Sequence, residues 1–208
     1  MRGAFNPVIQ LLCAAGLNVL APNVRGSTGY GTTYAQLDDR DLRWDSVRDG
    51  SAAAEFLTSS GIATTVGAEG VSYGGFMAVA VMIDSPSLWQ AGVDIVGIAD
   101  WETYFRSTPG WRRPLRAESY GDPDRPEDVA FLRRFSPLRR AKELQAPLLI
   151  VHDRHDPRVP VSEAELIASA APGCELIVVE GEGHWFVQAH NREAIFARVL
   201  DFLLDHLQ

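Results

Sequence analysis

The sequence predicts an α/β fold, a mostly parallel sheet of about five strands flanked by helices. Two observations carry that prediction. Strand-like apolar runs alternate with helix-period segments over most of the chain, the pattern of a sheet covered on both faces. Pro147-Leu148-Leu149-Ile150-Val151 is apolar without alternation, as expected of a strand buried on both sides. The 208 residues, 46% of them hydrophobic, suffice for a sizeable core, and no linker, repeat or low-complexity tract divides them. They read as a single domain over 1–208.

Taken in order, Pro7 suits a first helical turn and Gly16 a helix stop, so residues 5–15 read as a helix. Leu17-Asn18-Val19-Leu20-Ala21 then reads as a buried strand. The apolar stretch Val8 to Ala21 is broken by Gln10, Gly16 and Asn18 and falls short of the ~20 residues a membrane span needs. Arg2 ahead of it gives a superficial likeness to a secretory leader, but helix followed by strand is the better reading. A glycine-rich loop follows at 22–31. Residues 41–60 carry Trp44, Val47, Ala52, Phe56 and Leu57 near helical spacing, with Gly61 as the stop. A short strand at 66–71 runs into Ser72-Tyr73-Gly74-Gly75, and Phe76 to Ile83 reads as an apolar helix. Residues 91–98 form the next strand candidate. After the 147–151 strand come a helix at about 162–170, a strand at 175–179 and an amphipathic helix at about 191–207.

Residues 99–143 stand apart as a helical insert rich in tryptophan, arginine and proline. Ten of the chain's 19 basic residues fall between 101 and 143, against seven acidic ones. The whole chain carries −8, which argues against nucleic acid or an anionic membrane surface as a partner. Cys13 and Cys174 make no disulfide framework, and a cytoplasmic location is the expectation.

Gly70-Val71-Ser72-Tyr73-Gly74 is a G-x-S-x-G between a predicted strand and a predicted helix. In that setting the turn is sharp, the serine hydroxyl stands at a helix N-terminus, and the next backbone N–H, here of Tyr73, faces a developing oxyanion. A serine nucleophile needs a base, and the base an orienting carboxylate. Asp156 follows the 147–151 strand and His184 the 175–179 strand, in the chain order Ser, Asp, His that this turn type uses. Asp153, His152 and His155 are rivals for these roles. His152-x-x-His155 with the two aspartates also raises a metal site, but Pro157 and the loop setting give no ligand spacing, so no metal is expected. Trp101, Tyr104, Phe105 and Trp111 are candidates either to line an apolar pocket over Ser72 or to pack the insert.

The run Asn23-Val24-Arg25-Gly26-Ser27-Thr28-Gly29-Tyr30-Gly31, the elbow with its double glycine, and Asp156-Pro157-Arg158-Val159-Pro160 together resemble the catalytic domain of the prolyl oligopeptidase family. Tyr120-Gly121-Asp122-Pro123 and Phe135-Ser136-Pro137-Leu138 resemble its acylaminoacyl-peptidase and dipeptidyl-aminopeptidase-like branch. The resemblance implies an α/β-hydrolase-like fold and a serine hydrolase without cofactor. Ser72 is implied as nucleophile, Asp156 as orienter, His184 as general base, and the Tyr73 N–H as one oxyanion donor. Arg158 matches an arginine that binds a substrate carbonyl, with a structural salt bridge as the equal alternative. Small ester, acyl-peptide or short peptide substrates follow. The alternatives are a cyclase, lyase or acyl transferase on the same scaffold, for which arginines 106, 112, 113 and 116 would bind an anionic substrate, or a catalytically impaired subunit acting in assembly.

In that family strands and a His-Gly-Gly-Pro-type turn precede the helix seen here at 5–15. The expectation is therefore a sheet lacking the family's first strands. Either the 17–21 strand pairs directly with 66–71, or a second chain covers an exposed sheet edge as a homodimer, or the sequence is a piece of a longer protein. With the turn goes a second oxyanion donor, a loss worth about 10²–10³ in turnover. Tyr30 or Arg25 is a conceivable substitute. Glu69, one residue before the elbow, would be costly in a central strand unless paired, and Arg25 is its expected partner.

Overall fold

Strands Gly67–Val71 (β1), Ala91–Ile95 (β2), Leu148–Asp153 (β3) and Cys174–Val179 (β4) pair in parallel in the order β1-β2-β3-β4. They belong to a computed structural model that describes residues 5–208; Arg2 lies outside the described residues. The register sets Glu69 opposite Val93 and Leu149 opposite Glu175. β2 and β3 are buried along their whole length, as the unbroken apolar run Leu148-Leu149-Ile150-Val151 leads one to expect, with Asp94, His152 and Asp153 buried among them.

Alternation survives in what each face touches. Leu148 and Ile150 belong to one core with Phe76, Val79 and Ile83 of helix α4 (Tyr73–Asp84) and Ile167 of α8 (Val161–Ala170). Val93, Ile95, Leu149 and Val151 pack instead on Ile195, Val199, Phe202 and Leu203 of α9 (Ala189–Leu207), with Leu12 of α1 (Pro7–Ala14). Asn6 caps α1, its side chain accepting from the N–H groups of Val8 and Ile9. The long helix expected at 41–60 is α3 (Arg43–Ser59), after a four-residue turn of helix, α2 (Thr32–Ala35).

Among residues 99–143 three short helices form: α5 (Trp101–Ser107), α6 (Pro114–Tyr120) and α7 (Pro126–Arg134). Each opens on a signal legible in sequence, Asp100 capping α5 and a proline in the first turn of α6 and α7.

Two expectations fail here. Residues 17–24 form no strand, so the sheet has four strands among the described residues rather than about five. Val19 and Leu20 are exposed, and Asn18 interrupts the run, leaving too little buried apolar surface to fix a strand register. β1 is consequently an edge strand. Glu69 is exposed on that edge and needs no buried partner, while Arg25 bonds Asp49 (2.7 Å) and the Asp45 carbonyl (2.9 Å).

Candidate active site

Ser72 ends β1 and opens α4 with φ 59° and ψ −116°, a conformation L-residues rarely adopt. Its neighbours make the turn possible. A Cβ on Gly70 would lie 2.1 Å from the Gly74 carbonyl oxygen, and one on Gly75 would lie 2.1 Å from Asp94 Oδ1 and 2.8 Å from Gly97 Cα. Only glycine fits at either place. The Ser72 N–H donates to the Ile95 carbonyl (2.8 Å), which ties the elbow to β2. Tyr73 is the first residue of α4, so its N–H belongs to a turn whose N–H groups have no intrahelical acceptor.

Beyond β3, Asp156 lies in the loop at 154–160. Its Oδ1 accepts from the N–H groups of Arg158 (2.7 Å) and Val159 (3.1 Å), and its Oδ2 stands 2.7 Å from His184 Nδ1. Burial opposes ionisation of Asp156, but the His184 bond and the two backbone donors outweigh it and hold the carboxyl below its ordinary value. An ionised Asp156 only accepts, so His184 carries its proton on Nδ1, and Nε2 faces Ser72 Oγ at 3.0 Å as an acceptor. The structure thus brings Ser72, His184 and Asp156 into one hydrogen-bonded line.

The rivals fall elsewhere. His152 is fully buried, its Nε2 on the Val159 carbonyl (2.9 Å) and its Nδ1 without a hydrogen-bond partner among the described residues, and burial lowers its pKa. Asp153 is a loop anchor, accepting from the N–H groups of His155 and Glu182 (both 2.8 Å). His155 is exposed near Glu180. Among the described residues no cluster of three or more His, Cys, Asp or Glu is placed to hold a metal ion.

A cavity of about 120 Å³ opens beside Ser72, Tyr73 and His184. Of the four insert aromatics, Trp101 and Tyr104 line it; Phe105 is buried in the aromatic cluster behind, and Trp111 is 74% exposed. Arg158 also lines the cavity, forms no ion pair among the described residues, and lies 5.6 Å from the Trp185 ring centroid. Among the described residues the salt bridge considered for Arg158 does not form. Arg25 and Tyr30 lie outside the cavity lining, Arg25 on Asp49 and Tyr30 against Tyr34.

Sequence reasoning missed the support under this site. Arg43 is 1% exposed beneath the cavity floor. Its Nη1 donates to the Tyr73 hydroxyl (2.9 Å) and pairs with Asp38 (3.3 Å), and its guanidinium stacks 3.9 Å over Tyr120. Nothing in the local sequence distinguishes Arg43 from the surface arginines around it.

The sharp elbow after β1 and the acid and histidine after β3 and β4 define an α/β-hydrolase-like protein. Residues 4–208 match the profile of the prolyl oligopeptidase family, and the chain belongs to that family. It is 30% identical over 210 residues to dipeptidyl aminopeptidase BIII of Pseudoxanthomonas mexicana, covering 97% of this chain and 30% of that protein. Among solved structures, a Mycobacterium tuberculosis puromycin-hydrolyzing peptidase superposes with TM-score 0.81 at 28% identity, over 89% of this chain and 29% of that one. The Pyrococcus horikoshii acylaminoacyl peptidase superposes with TM-score 0.77 at 26% identity, over 89% and 32%. The chain spans less than a third of the length of each of these relatives.

Proposed function

We propose that this chain is a serine hydrolase acting on small ester, acyl-peptide or short peptide substrates through Ser72, His184 and Asp156. The observation that carries the reading is the continuous contact from Ser72 Oγ through His184 to Asp156, at 3.0 and 2.7 Å. Family membership and peptidase relatives support it.

In this reading Ser72 Oγ attacks the substrate carbonyl carbon as its proton passes to His184 Nε2. The carbonyl oxygen becomes an oxyanion beside the Tyr73 N–H, and Asp156 stabilises the imidazolium across Nδ1. Collapse breaks the bond to the leaving amine or alkoxide, which takes the proton from His184, and an acyl-Ser72 ester is left. Water then attacks that ester with its proton going to His184 Nε2. The acid product leaves, and the proton returns to Ser72 Oγ. Arg158, exposed at the cavity and without an ion pair among the described residues, donates to a substrate carbonyl next to the scissile bond.

The reading is tested with 4-nitrophenyl butyrate and an acetyl-alanyl 4-nitroanilide. Turnover that disappears in Ser72→Ala supports it; turnover unchanged in Ser72→Ala refutes it. We also propose that a second copy covers the open edge of β1, since Val71, Val19 and Leu20 are exposed. Sedimentation velocity decides this, and a monomer at micromolar concentration refutes it. The free thiols Cys13 and Cys174 suit a reducing, cytoplasmic setting. Among the described residues no helix is long and apolar enough to cross a membrane.

A further inference from the structure

The insert at 99–143 contains nine arginines, and their distribution is uneven. Seven, among them Arg106, Arg113 and Arg133, are ion-paired to carboxylates within 4.0 Å. Arg112 and Arg116 have no such pair among the described residues, and these two line the cavity beside Ser72. Arg158, also without an ion pair among the described residues, lines the same cavity, and among those residues no aspartate or glutamate does. Of the four arginines considered for an anionic substrate from sequence alone, Arg106 and Arg113 are therefore committed to Glu102 and Asp124. The buried Arg43 behind the floor is matched by Asp38 and adds no excess charge.

We propose that this cavity is a subsite for a carboxylate on the acyl side of the scissile bond, so that the preferred substrate presents an N-acylated aspartate- or glutamate-like residue to Ser72. The proposal rests on the serine-hydrolase reading and names its substrate class. The Arg112 and Arg116 guanidiniums, unpaired among the described residues, make a positive surface that a carboxylate neutralises by charge-assisted hydrogen bonds, while Arg158 serves the substrate carbonyl. Trp101, Tyr104 and Tyr120 form the apolar wall that receives the methylenes of the side chain and limits water access, which strengthens the ion pairs. At about 120 Å³ the cavity is far below the ~300–1,000 Å³ that encloses a drug-sized ligand, so it takes one short side chain.

The test compares N-acetyl-glutamyl and N-acetyl-glutaminyl 4-nitroanilides, which differ by one charge at equal size. The glutamyl substrate is expected to exceed the glutaminyl one by about tenfold or more in kcat/KM, the worth of one charge-assisted pair. The ratio should collapse to about one in the Arg112→Gln/Arg116→Gln double variant and persist in Arg113→Gln, whose side chain is held by Asp124. A ratio near one in the unaltered protein overturns the proposal. So does a ratio that survives the double variant. An N-acetyl-glycyl substrate with p-aminobenzoate as leaving amine puts the carboxylate across the scissile bond; if the arginine dependence appears there instead, the acyl-side assignment is overturned. Calorimetry on Ser72→Ala protein with N-acetyl-glutamate α-amide and N-acetyl-glutamine amide reads the subsite without turnover. Tighter binding of the glutamate amide in a protein without hydrolysis keeps the subsite and removes the hydrolase reading. Equal binding removes the subsite whatever the activity.

Discussion

The Glu182 N–H donates to Asp153 Oδ2 at 2.8 Å, which ties the loop after β4 to the end of β3. The same loop carries His184, and β4 stands three strands from β1, about 14 Å at ordinary strand spacing. His184 reaches Ser72 because that loop folds back over the strand ends. The Glu182 carboxylate holds it in shape, accepting from the N–H groups of Val187 (2.7 Å) and Gln188 (3.1 Å) and from the Asn191 side chain (2.6 Å).

Glu182→Ala is therefore expected to lower kcat by about 10²-fold with KM little changed, since it displaces the base rather than the substrate. Glu182→Gln, which keeps an acceptor, should recover part of the loss. Steady-state ester hydrolysis checks this, and a full-strength alanine variant contradicts it.

Asp156→Asn should cost about 10⁴ in kcat by favouring the wrong histidine tautomer. It should also cost about 2 kcal/mol of stability at pH 7 through the lost charged hydrogen bonds. The carboxyl lies below its ordinary value in the folded chain, so its contribution is complete above the unfolded value of about 3.9 and fades as pH falls through the lower folded value. Urea melts of both proteins from pH 7 down to pH 3 should converge at the acid end.

The strain at Ser72 gives a stability prediction of opposite sign to the activity. A non-glycine residue in that conformation costs about 1–3 kcal/mol, and Ser72→Gly removes the cost while adding about 0.5–1 kcal/mol of chain entropy. Ser72→Gly should thus melt a few degrees above Ser72→Ala, with both inactive. Equal melting temperatures contradict a strained elbow.

Asp94 supplies a pH signature away from the reacting atoms. It is buried in β2, its Oδ1 has no hydrogen-bond partner among the described residues, and burial, outweighing the Gly97 backbone, pushes its carboxyl up to about 7. Raised in the folded state, the carboxyl destabilises the fold progressively as pH climbs from about 4 to about 7. Asp94→Asn should be close to neutral at pH 4 and gain about 10 °C in Tm at pH 8, from about 4 kcal/mol at roughly 2–4 °C per kcal/mol. A gain that does not grow with pH contradicts the assignment.

The fold was legible wherever burial and composition agree. Leu148 to Val151 read as a doubly buried strand and are one. Leu17 to Ala21 read the same way and are not, because strand identity there depends on pairing partners that local composition does not reveal. The elbow glycines announced Ser72 through a turn that only glycine permits, whereas chain order admitted both Asp153 and Asp156, and only the resemblance carried by Asp156-Pro157-Arg158-Val159-Pro160 favoured the latter. The division of labour among the arginines was invisible. Arg112 and Arg113 are adjacent and identical in sequence, yet one lines the cavity and the other pairs with Asp124. Only the folded chain, which sets Asp124 beside Arg113, separates them.

The central claim, that Ser72 is a nucleophile activated by His184, is tested most directly by intact-mass measurement after treatment with a fluorophosphonate. One adduct per chain is expected, located on Ser72, absent in Ser72→Ala and slowed by about 10³-fold or more in His184→Ala. A well-folded protein that takes up no label, or takes it up equally fast without His184, would contradict it.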